Sequence, residues 1–402
     1  MKIGIISDLH LGKRNYGIIE LENDFYKQYH KCINELIQQK VDTVIIAGDI
    51  FDTPKVSPLA IDQFQQGLRT LNTHGINVLN IIGNHTMMQT AQHIPADKLF
   101  KNEFSYSILD ENYQYSFDDT IIMGLPYHKD TKINELKEKI EKLGEKATGK
   151  KHKILVLHQE FQEYCGFAGA KLSINDIPLD KFDIIICGHI HQRLKDELSN
   201  TIFIQPGSIE RLNKTEAQDE QDTGKGITII NTEQNKPMVE FIDIPPERKY
   251  IIKTLKLNNS NDINSILDDL LAEVKSCDPQ PMVFLQIEDK TNSYDMIIEK
   301  QKTIDDNSLS CRFQYYDLSS DDYPMSVEVD GEVPSVKEFI REAFKDDDNF
   351  AYIESLYDAA NNPDEDLKGV VDDLFKKLYP PVEVKPFEDP EMDEIIEYFE
   401  NS

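Results

Sequence analysis

The chain has few cysteines and no pairing pattern among them. Its 402 residues include Cys32, Cys165, Cys187, Cys277 and Cys311, scattered and without a Cys-x-x-Cys. That excludes a disulfide framework and a zinc knuckle, and it points to reduced thiols in a cytosolic protein. No apolar run approaches the length needed to cross a bilayer, so no membrane association is expected. Met1-Lys2 leads straight into a strand-like run, so no secretory signal is expected either. Low-complexity tracts are also missing, and a hydrophobic content of 39% reads as a folded chain of two or three domains. Positive charge is scarce: 43 Lys and Arg stand against 73 Asp and Glu, a net charge of -30. The footprint of a DNA-binding surface is basic, so this composition does not look like a self-sufficient DNA binder. Gly331 to Ser402 alone holds 21 acidic and 7 basic residues. Such a balance suits a protein that works beside a basic partner, or one from a salty cytoplasm. The local basic points (Lys13-Arg14, Lys150 to Lys153, Arg193 and Lys195, Arg211 and Lys214, Arg248-Lys249) read as solvated faces.

Histidine is absent beyond position 191, and its placement before that is the strongest signal in the chain. The run Val44-Ile45-Ile46-Ala47 reads as a strand covered on both faces, ending in Gly48-Asp49. Gly48 lets the chain turn and lets another group come close to the backbone. Asp49 then lies at the C-terminal edge of a sheet, where open α/β folds place their ligands. One such loop means little, but the pattern recurs. Ile3 to Ser7 ends in Asp8-Leu9-His10, Val78 to Ile82 in Gly83-Asn84-His85, Ile154 to Leu157 in His158, and Ile184 to Cys187 in Gly188-His189-Ile190-His191. Five apolar runs each deliver metal-ligand side chains at the same end, which makes a site of them.

The expected fold is α/β: a two-sheet sandwich flanked by helices, followed by a small α/β domain and a helical C-terminal segment. Residues 1–247 form the first domain, with helices over about 24–39 and from about Phe64 to Gly75, and parallel pairing through right-handed crossovers. Shorter alternating strands are expected over 106–124, a helix over 131–143, and further strands at 201–204 and 226–230. Residues 248–330 form the small domain, with strands at 250–257, 282–287 and 311–318 and a helix at 263–274. Residues 335–402 begin with the capping box Ser335-Val336-Lys337-Glu338 and carry three amphipathic stripes. These either pack back on the body or dock into a groove of another protein.

Carboxylate, imidazole and one amide oxygen together suit Mn²⁺, Fe²⁺ or Zn²⁺, and the lack of thiolate disfavours a structural zinc. Asp8, His10, Asp49, Asn84, His158, His189 and His191 are too many for one ion. Two ions that share a bridging carboxylate absorb them, and Asp49 is the central candidate. Paired metals clamp a phosphoryl oxygen and activate water for in-line displacement. His85 is the spare imidazole, free to protonate a leaving oxygen, or else a supporting histidine.

At this point the motifs become specific. Asp8-x-His10, Gly48-Asp49-x-x-Asp52, Gly83-Asn84-His85, His158 and Gly188-His189-x-His191 resemble the five phosphodiesterase motifs of calcineurin-like metallophosphoesterases. Ser7 to Gly12, Gly48 to Thr53 and Pro206-Gly207-Ser208-Ile209-Glu210-Arg211 resemble the SbcD and meiotic-recombination-eleven nucleases of double-strand-break repair. The resemblance covers residues 1 to about 245, and the rest matches that family by layout.

The resemblance implies two Mn²⁺ ions, with Mg²⁺ or another divalent ion as substitutes. Asp8, His10, Asp49 and His191 would hold one; Asp49, Asn84, His158 and His189 would hold the other. His85 would be the catalytic acid, with Asp52, Thr86, Ser208 and Arg211 supporting or positioning substrate. The implied activity is 3′-to-5′ exonuclease and endonuclease cleavage of duplex DNA ends. The implied setting is a cytoplasmic, nucleoid-associated homodimer joined near 63–71 and 89–100. Its partner would be an SbcC or Rad-fifty type coiled-coil ATPase on the C-terminal helices. The sequence departs from the family at Thr86, where members usually carry an Asp that can orient the histidine. This leaves open a weaker acid or a substitute carboxylate. Asp52 is the bacterial form of a position that is often His in archaeal and eukaryotic members. Two other readings remain: a phosphatase or phosphodiesterase of the same superfamily, and a catalytically weakened subunit that tethers DNA ends.

Overall fold

The computed structural model describes residues 1–318 and 326–330, apart from 88–93, 166–169, 219–223, 235, 260–262 and 292. The chain forms two units, residues 1–311 with 316–325 and residues 312–315 with 326–402; the first contains both large sheets. The helical stripes expected from 335 onward lie outside the described residues, as do residues 89–93 of the expected dimer segment. The described end of that segment is a 3-10 turn, Ala96–Phe100.

The elements run β1 (Lys2–Ile6), α1 (Ile19–Gln38), β2 (Thr43–Ile46), α2 (Pro58–Thr73), β3 (Asn77–Asn80), β4 (Tyr106–Ile108), β5 (Tyr115–Phe117), β6 (Thr120–Gly124), α3 (Ile133–Lys146), β7 (His152–His158) and β8 (Ile184–Gly188). They continue β9 (Leu194–Leu198), β10 (Thr201–Gln205), α4 (Lys214–Gln218), β11 (Gly226–Asn231), β12 (Met238–Asp243), β13 (Tyr250–Leu257), α5 (Ile263–Lys275), β14 (Met282–Asp289), α6 (Tyr294–Asn307) and a strand at Ser310–Asp317. One mixed sheet has the order β12-β11-β1-β2-β3-β4, the other β5-β6-β7-β8-β10-β9. Within them β1, β2, β3 and β4 are parallel neighbours, as are β6, β7, β8 and β10.

The alternation of side chains along each strand sorts three cores. Ile3, Ile5, Ile45, Leu79 and Ile81 of the first sheet meet Ile122, Ile154, Val156, Ile184 and Ile186 of the second. Ile6, Val44, Ile46 and Val78 turn outward against Tyr29, Ile33 and Leu36 of α1 and Phe64, Leu68 and Leu71 of α2. Met123, Leu155, Leu157 and Ile185 do the same against Leu136, Ile140 and Leu143 of α3. Both large sheets are therefore covered on both faces, which is why their central strands read as unbroken apolar runs. α2 starts where Ser57 Oγ caps the Ala60 amide at 3.1 Å and Pro58 occupies the first turn.

Several expected boundaries move. α1 begins at Ile19 rather than near Asp24, because Leu21 of its first turn is buried against Met282 and Phe284 of the small module. β6 is buried along its whole length rather than alternating. β9, β12 and α6 were not expected from the pattern. β9 and β12 are sheet-edge strands with exposed positions, so they lack the apolar run that marked the others. In the small module β13 pairs in parallel with β14, and α5 and α6 join them.

Candidate metal centre

Parallel strands point their C-terminal ends the same way, so β1, β2 and β3 release Asp8, His10, Asp49, Asn84 and His85 at one edge. β7 and β8 release His158, His189 and His191 at the matching edge of the second sheet. The structure brings these together in three groups. Ligand atoms of Asp8, His10 and His191 lie within 4.8 Å of one another, and so do those of Asp49, His158 and His189, and those of His10, Asp52 and His85. Asn84 joins the second group, its Oδ1 lying 2.9 Å from both His158 Nε2 and His189 Nδ1.

The backbone at these ends is strained. Asp8, His10, Asp49 and His189 all have left-handed φ, of 51°, 43°, 48° and 91°. Such conformations are uncommon outside glycine and cluster at functional sites, where surrounding structure holds them. At Gly48, with φ of 97°, the close approach anticipated from the sequence is that of His158: a Cβ there would lie 2.2 Å from its Nδ1.

Each candidate imidazole ligand is oriented from behind. The Nδ1 of His158 donates to Ala47 O at 2.7 Å. His10 Nδ1 faces Asp52 Oδ1 at 3.1 Å, His189 Nε2 faces Glu160 Oε1 at 2.7 Å, and His191 Nδ1 faces Glu216 Oε1 at 2.8 Å. A carboxylate or carbonyl on one ring nitrogen fixes the tautomer and leaves the other nitrogen as a ligand, the arrangement usual around protein-bound metals. His10 Nε2 is buried and makes no hydrogen bond among the described residues. An orphan ring nitrogen aimed into a cluster of carboxylates fits a cation, and so does the mixed carboxylate, imidazole and amide donor set.

Charge follows the same geometry. Burial pushes the Asp49 carboxyl up, but the charge and hydrogen bond of His158, helped by His10 and His85, override this and hold it well below the ordinary carboxylate range. His158 shows the reverse: burial opposes its charge, yet Asp49 and Asp8 raise it to about 9. Burial dominates at His10 and lowers it. Glu216 is pulled down to about 2, since its bonds to His191 and Lys225 outweigh the burial that would raise it.

His85 belongs to the third group, beside His10 and Asp52. Its backbone amide donates to Asp49 Oδ1 at 2.9 Å and its ring lies edge-on to His10, centroids 4.6 Å apart. Its Nδ1 donates to the carbonyl of Asp52 at 2.6 Å, with the Asp52 carboxylate 3.9 Å away. The hydrogen bond that orients His85 thus runs to the backbone carbonyl of Asp52 and not to a carboxylate. Thr86 itself is buried, with its side chain beside the Asp97 carboxylate.

Ser208 is buried behind the site, where its amide donates to His191 O at 3.1 Å. Arg211 is half-buried and its amide donates to Glu210 Oε1 at 2.8 Å. Lys13, Arg14, Arg193 and Arg248 are not merely solvated: they pair with Asp52, Glu22, Asp243 and Asp24. Glu160, Glu216 and Lys225 went unrecognised in the sequence. Glu160 follows His158 at the spacing that continues a strand face and could have been found that way; the other two lie in a polar stretch with no periodic signal.

Residues 1–221 match the model of the calcineurin-like phosphoesterase superfamily domain. The chain is 27% identical over 383 residues to the DNA double-strand break repair protein Mre11 of Methanococcus maripaludis, covering 93% of this chain and 99% of that one. It is 30% identical over 257 residues to the protein of the same name from Sulfurisphaera tokodaii, covering 63% and 65%. The two sheets, the strand-end ligands and the family match together make this chain a member of the calcineurin-like phosphoesterase superfamily.

Proposed function

We propose that the protein is the Mn²⁺-dependent nuclease subunit of a double-strand-break repair complex, acting on DNA ends as a 3′-to-5′ exonuclease and an endonuclease. The observation that supports this reading is the pair of candidate ligand groups, Asp8 with His10 and His191 and Asp49 with His158 and His189, with His85 donating its amide to Asp49. Asp8, His10, Asp49 and His191 would hold one ion, and Asp49, Asn84, His158 and His189 the other. When bound, such ions supply Lewis-acid stabilisation of a phosphoryl oxygen and an activated water.

The chain's own residues do the rest. Asp49 is anchored by the His85 amide on Oδ1, while its Oδ2 lies 3.1 Å from His158 Nε2. With its Nδ1–H bonded to the Asp52 carbonyl, His85 in its doubly protonated form carries a second proton on Nε2 and can pass that one to the leaving oxygen, returning to the neutral ring. Its side chain is 36% exposed, against 26% for His191, 18% for His189 and none for His10 and His158, so it is the most open of these imidazoles to substrate. The curated relatives are named for DNA double-strand break repair, which favours DNA over small phosphoesters. The acidic chain then needs basic surface from a partner, and a Rad-fifty type ATPase held by residues 335–402 fits that need. A homodimer is consistent with the exposed Leu59, Ile94 and Leu99.

The test is cleavage of blunt duplex DNA in Mn²⁺, Mg²⁺ or EDTA, with His85→Ala alongside. Cleavage in Mn²⁺ should disappear in EDTA and fall by roughly 10²–10⁴-fold in the variant, the usual contribution of a positioned acid. Cleavage that survives both treatments would overturn the reading. Rapid p-nitrophenyl phosphate turnover with inert DNA would favour a phosphatase instead.

A further inference from the structure

We propose that Glu216 and Lys225 form a positioning pair that fixes the tautomer of His191 and so governs the ion expected at Asp8 and His10. The inference rests on the two-ion reading above and assigns a role to two residues that reading does not use. Glu216 Oε1 takes the Nδ1 proton of His191 at 2.8 Å. That leaves Nε2, 4.0 Å from Asp8 Oδ1, as the nitrogen turned to the ligand group.

Glu216 cannot choose its orientation freely. Lys225 Nζ spends its three donors on Glu216 Oε2 at 2.7 Å, Ser208 Oγ at 2.7 Å and His191 O at 3.1 Å. Its side chain is only 4% exposed, so these acceptors replace water completely. Glu216 Oε2 also receives the Leu212 amide at 3.3 Å. One buried ammonium thus holds both the backbone of His191 and the carboxylate behind its ring. Of the carboxylates backing the other imidazoles, Asp52 is likewise paired with a lysine, but that Lys13 is 22% exposed; Glu160 has no such ion pair among those described.

A specific consequence follows for Glu216→Gln. Lys225 has only donors, so it must keep the amide oxygen. The amide NH₂ then faces His191 Nδ1, which must accept, and the ring proton moves to Nε2, the nitrogen needed as a ligand. The wrong tautomer is enforced by the donors that face the far oxygen: Lys225 at 2.7 Å and, over a longer 3.3 Å bond, the Leu212 amide. Removing the lysine as well (Glu216→Gln with Lys225→Met) leaves only that long Leu212 bond to hold the amide oxygen, so the amide can turn over at the loss of one weak bond and accept the Nδ1 proton again.

The experiment titrates the full-length protein with MnCl₂, counting bound ions from the loss of the free-manganese paramagnetic resonance signal. In parallel, ¹⁵N-histidine NMR of metal-free protein, at a pH where the ring is neutral, reports which nitrogen of His191 is protonated. Wild type should bind two ions and carry the proton on Nδ1. Glu216→Gln should move the proton to Nε2 and weaken one ion by roughly 10–100-fold, the range for groups behind a ligand. The double variant should recover to the level of Lys225→Met alone. Unchanged binding in Glu216→Gln, a double variant no better than the single, or a wild-type proton on Nε2 would each overturn the proposal. A variant that merely folds badly would not be rescued by a second substitution, and the wild-type spectrum decides without any variant. Wild type binding fewer than two ions would sink the two-ion reading and this inference with it, whereas two ions bound with equal affinity in both proteins would sink the inference alone.

Discussion

Replacing Gly48 with alanine tests how tightly β2 and β7 are fitted at the metal centre. Gly48 has φ of 97°, and an added Cβ would lie 2.2 Å from Nδ1, 2.8 Å from Cγ and 2.9 Å from Cε1 of His158. That ring cannot yield easily, because it is fully buried and its Nδ1 is committed to Ala47 O at 2.7 Å. The backbone conformation alone costs an alanine about 1–2 kcal/mol. Forcing a methyl group into a filled interior costs a further 1–3 kcal/mol or so. The expected loss is therefore roughly 2–5 kcal/mol. Gly75 is the control: its φ is 73°, but a Cβ there meets nothing within 4 Å. Gly75→Ala should lose only the backbone part, so the difference between the variants isolates the contact with His158. Urea unfolding followed by circular dichroism in EDTA measures both, with an unchanged denaturant slope required before the values are compared. Manganese titration adds a second readout, since a displaced His158 should weaken binding in Gly48→Ala and not in Gly75→Ala. Equal losses in the two variants, with equal metal binding, would refute the reasoning.

Two further predictions concern buried charge away from the ligands. Burial, aided by Asp24, raises Glu210 from 4.5 to about 7, while the Arg211 and Glu247 amides and the Arg211 charge pull the other way. Between those values the native state keeps a proton that the unfolded chain has lost. Stability therefore falls as pH rises from about 4.5 to about 7, by roughly 3 kcal/mol in all, and then levels off. Glu210→Gln should remove this slope, and parallel wild-type and variant melting curves from pH 5 to 8 would contradict it. Arg248 grips Asp24 with Nε to Oδ2 at 2.7 Å and Nη2 to Oδ1 at 3.2 Å, and its remaining arm meets Gln280 O. Arg248→Met strands a buried carboxylate and should cost about 3–5 kcal/mol, whereas pairing it with Asp24→Leu should recover much of that. A double variant as unstable as the single one would argue that packing, not charge, is at stake.

What could be read from the sequence was the part governed by local pattern. β1, β2, β3, β7 and β8 are buried on both faces, so each appears as an apolar run with its ligand at the end. The supporting groups were harder because they act across the fold. Glu216 lies 25 residues from His191 in the chain and meets it only because the segment around α4 folds back onto the β8 loop. The left-handed φ values at Asp8, His10, Asp49 and His189 leave no mark on composition, since none of these residues is a glycine. The early start of α1 depends on Leu21 meeting Met282 and Phe284, a contact no window of neighbouring residues contains.

Neither the Asp8 group nor the Asp49 group belongs to one sheet. Asp8 and His10 leave the first sheet and His191 the second; Asp49 and Asn84 leave the first, His158 and His189 the second. A cation seated in either group would act as a rivet through the sandwich. The first sheet gathers the His10, Asp52 and His85 group by itself, but during synthesis neither cross-sheet group would be complete until β8 had emerged and closed against strands made long before.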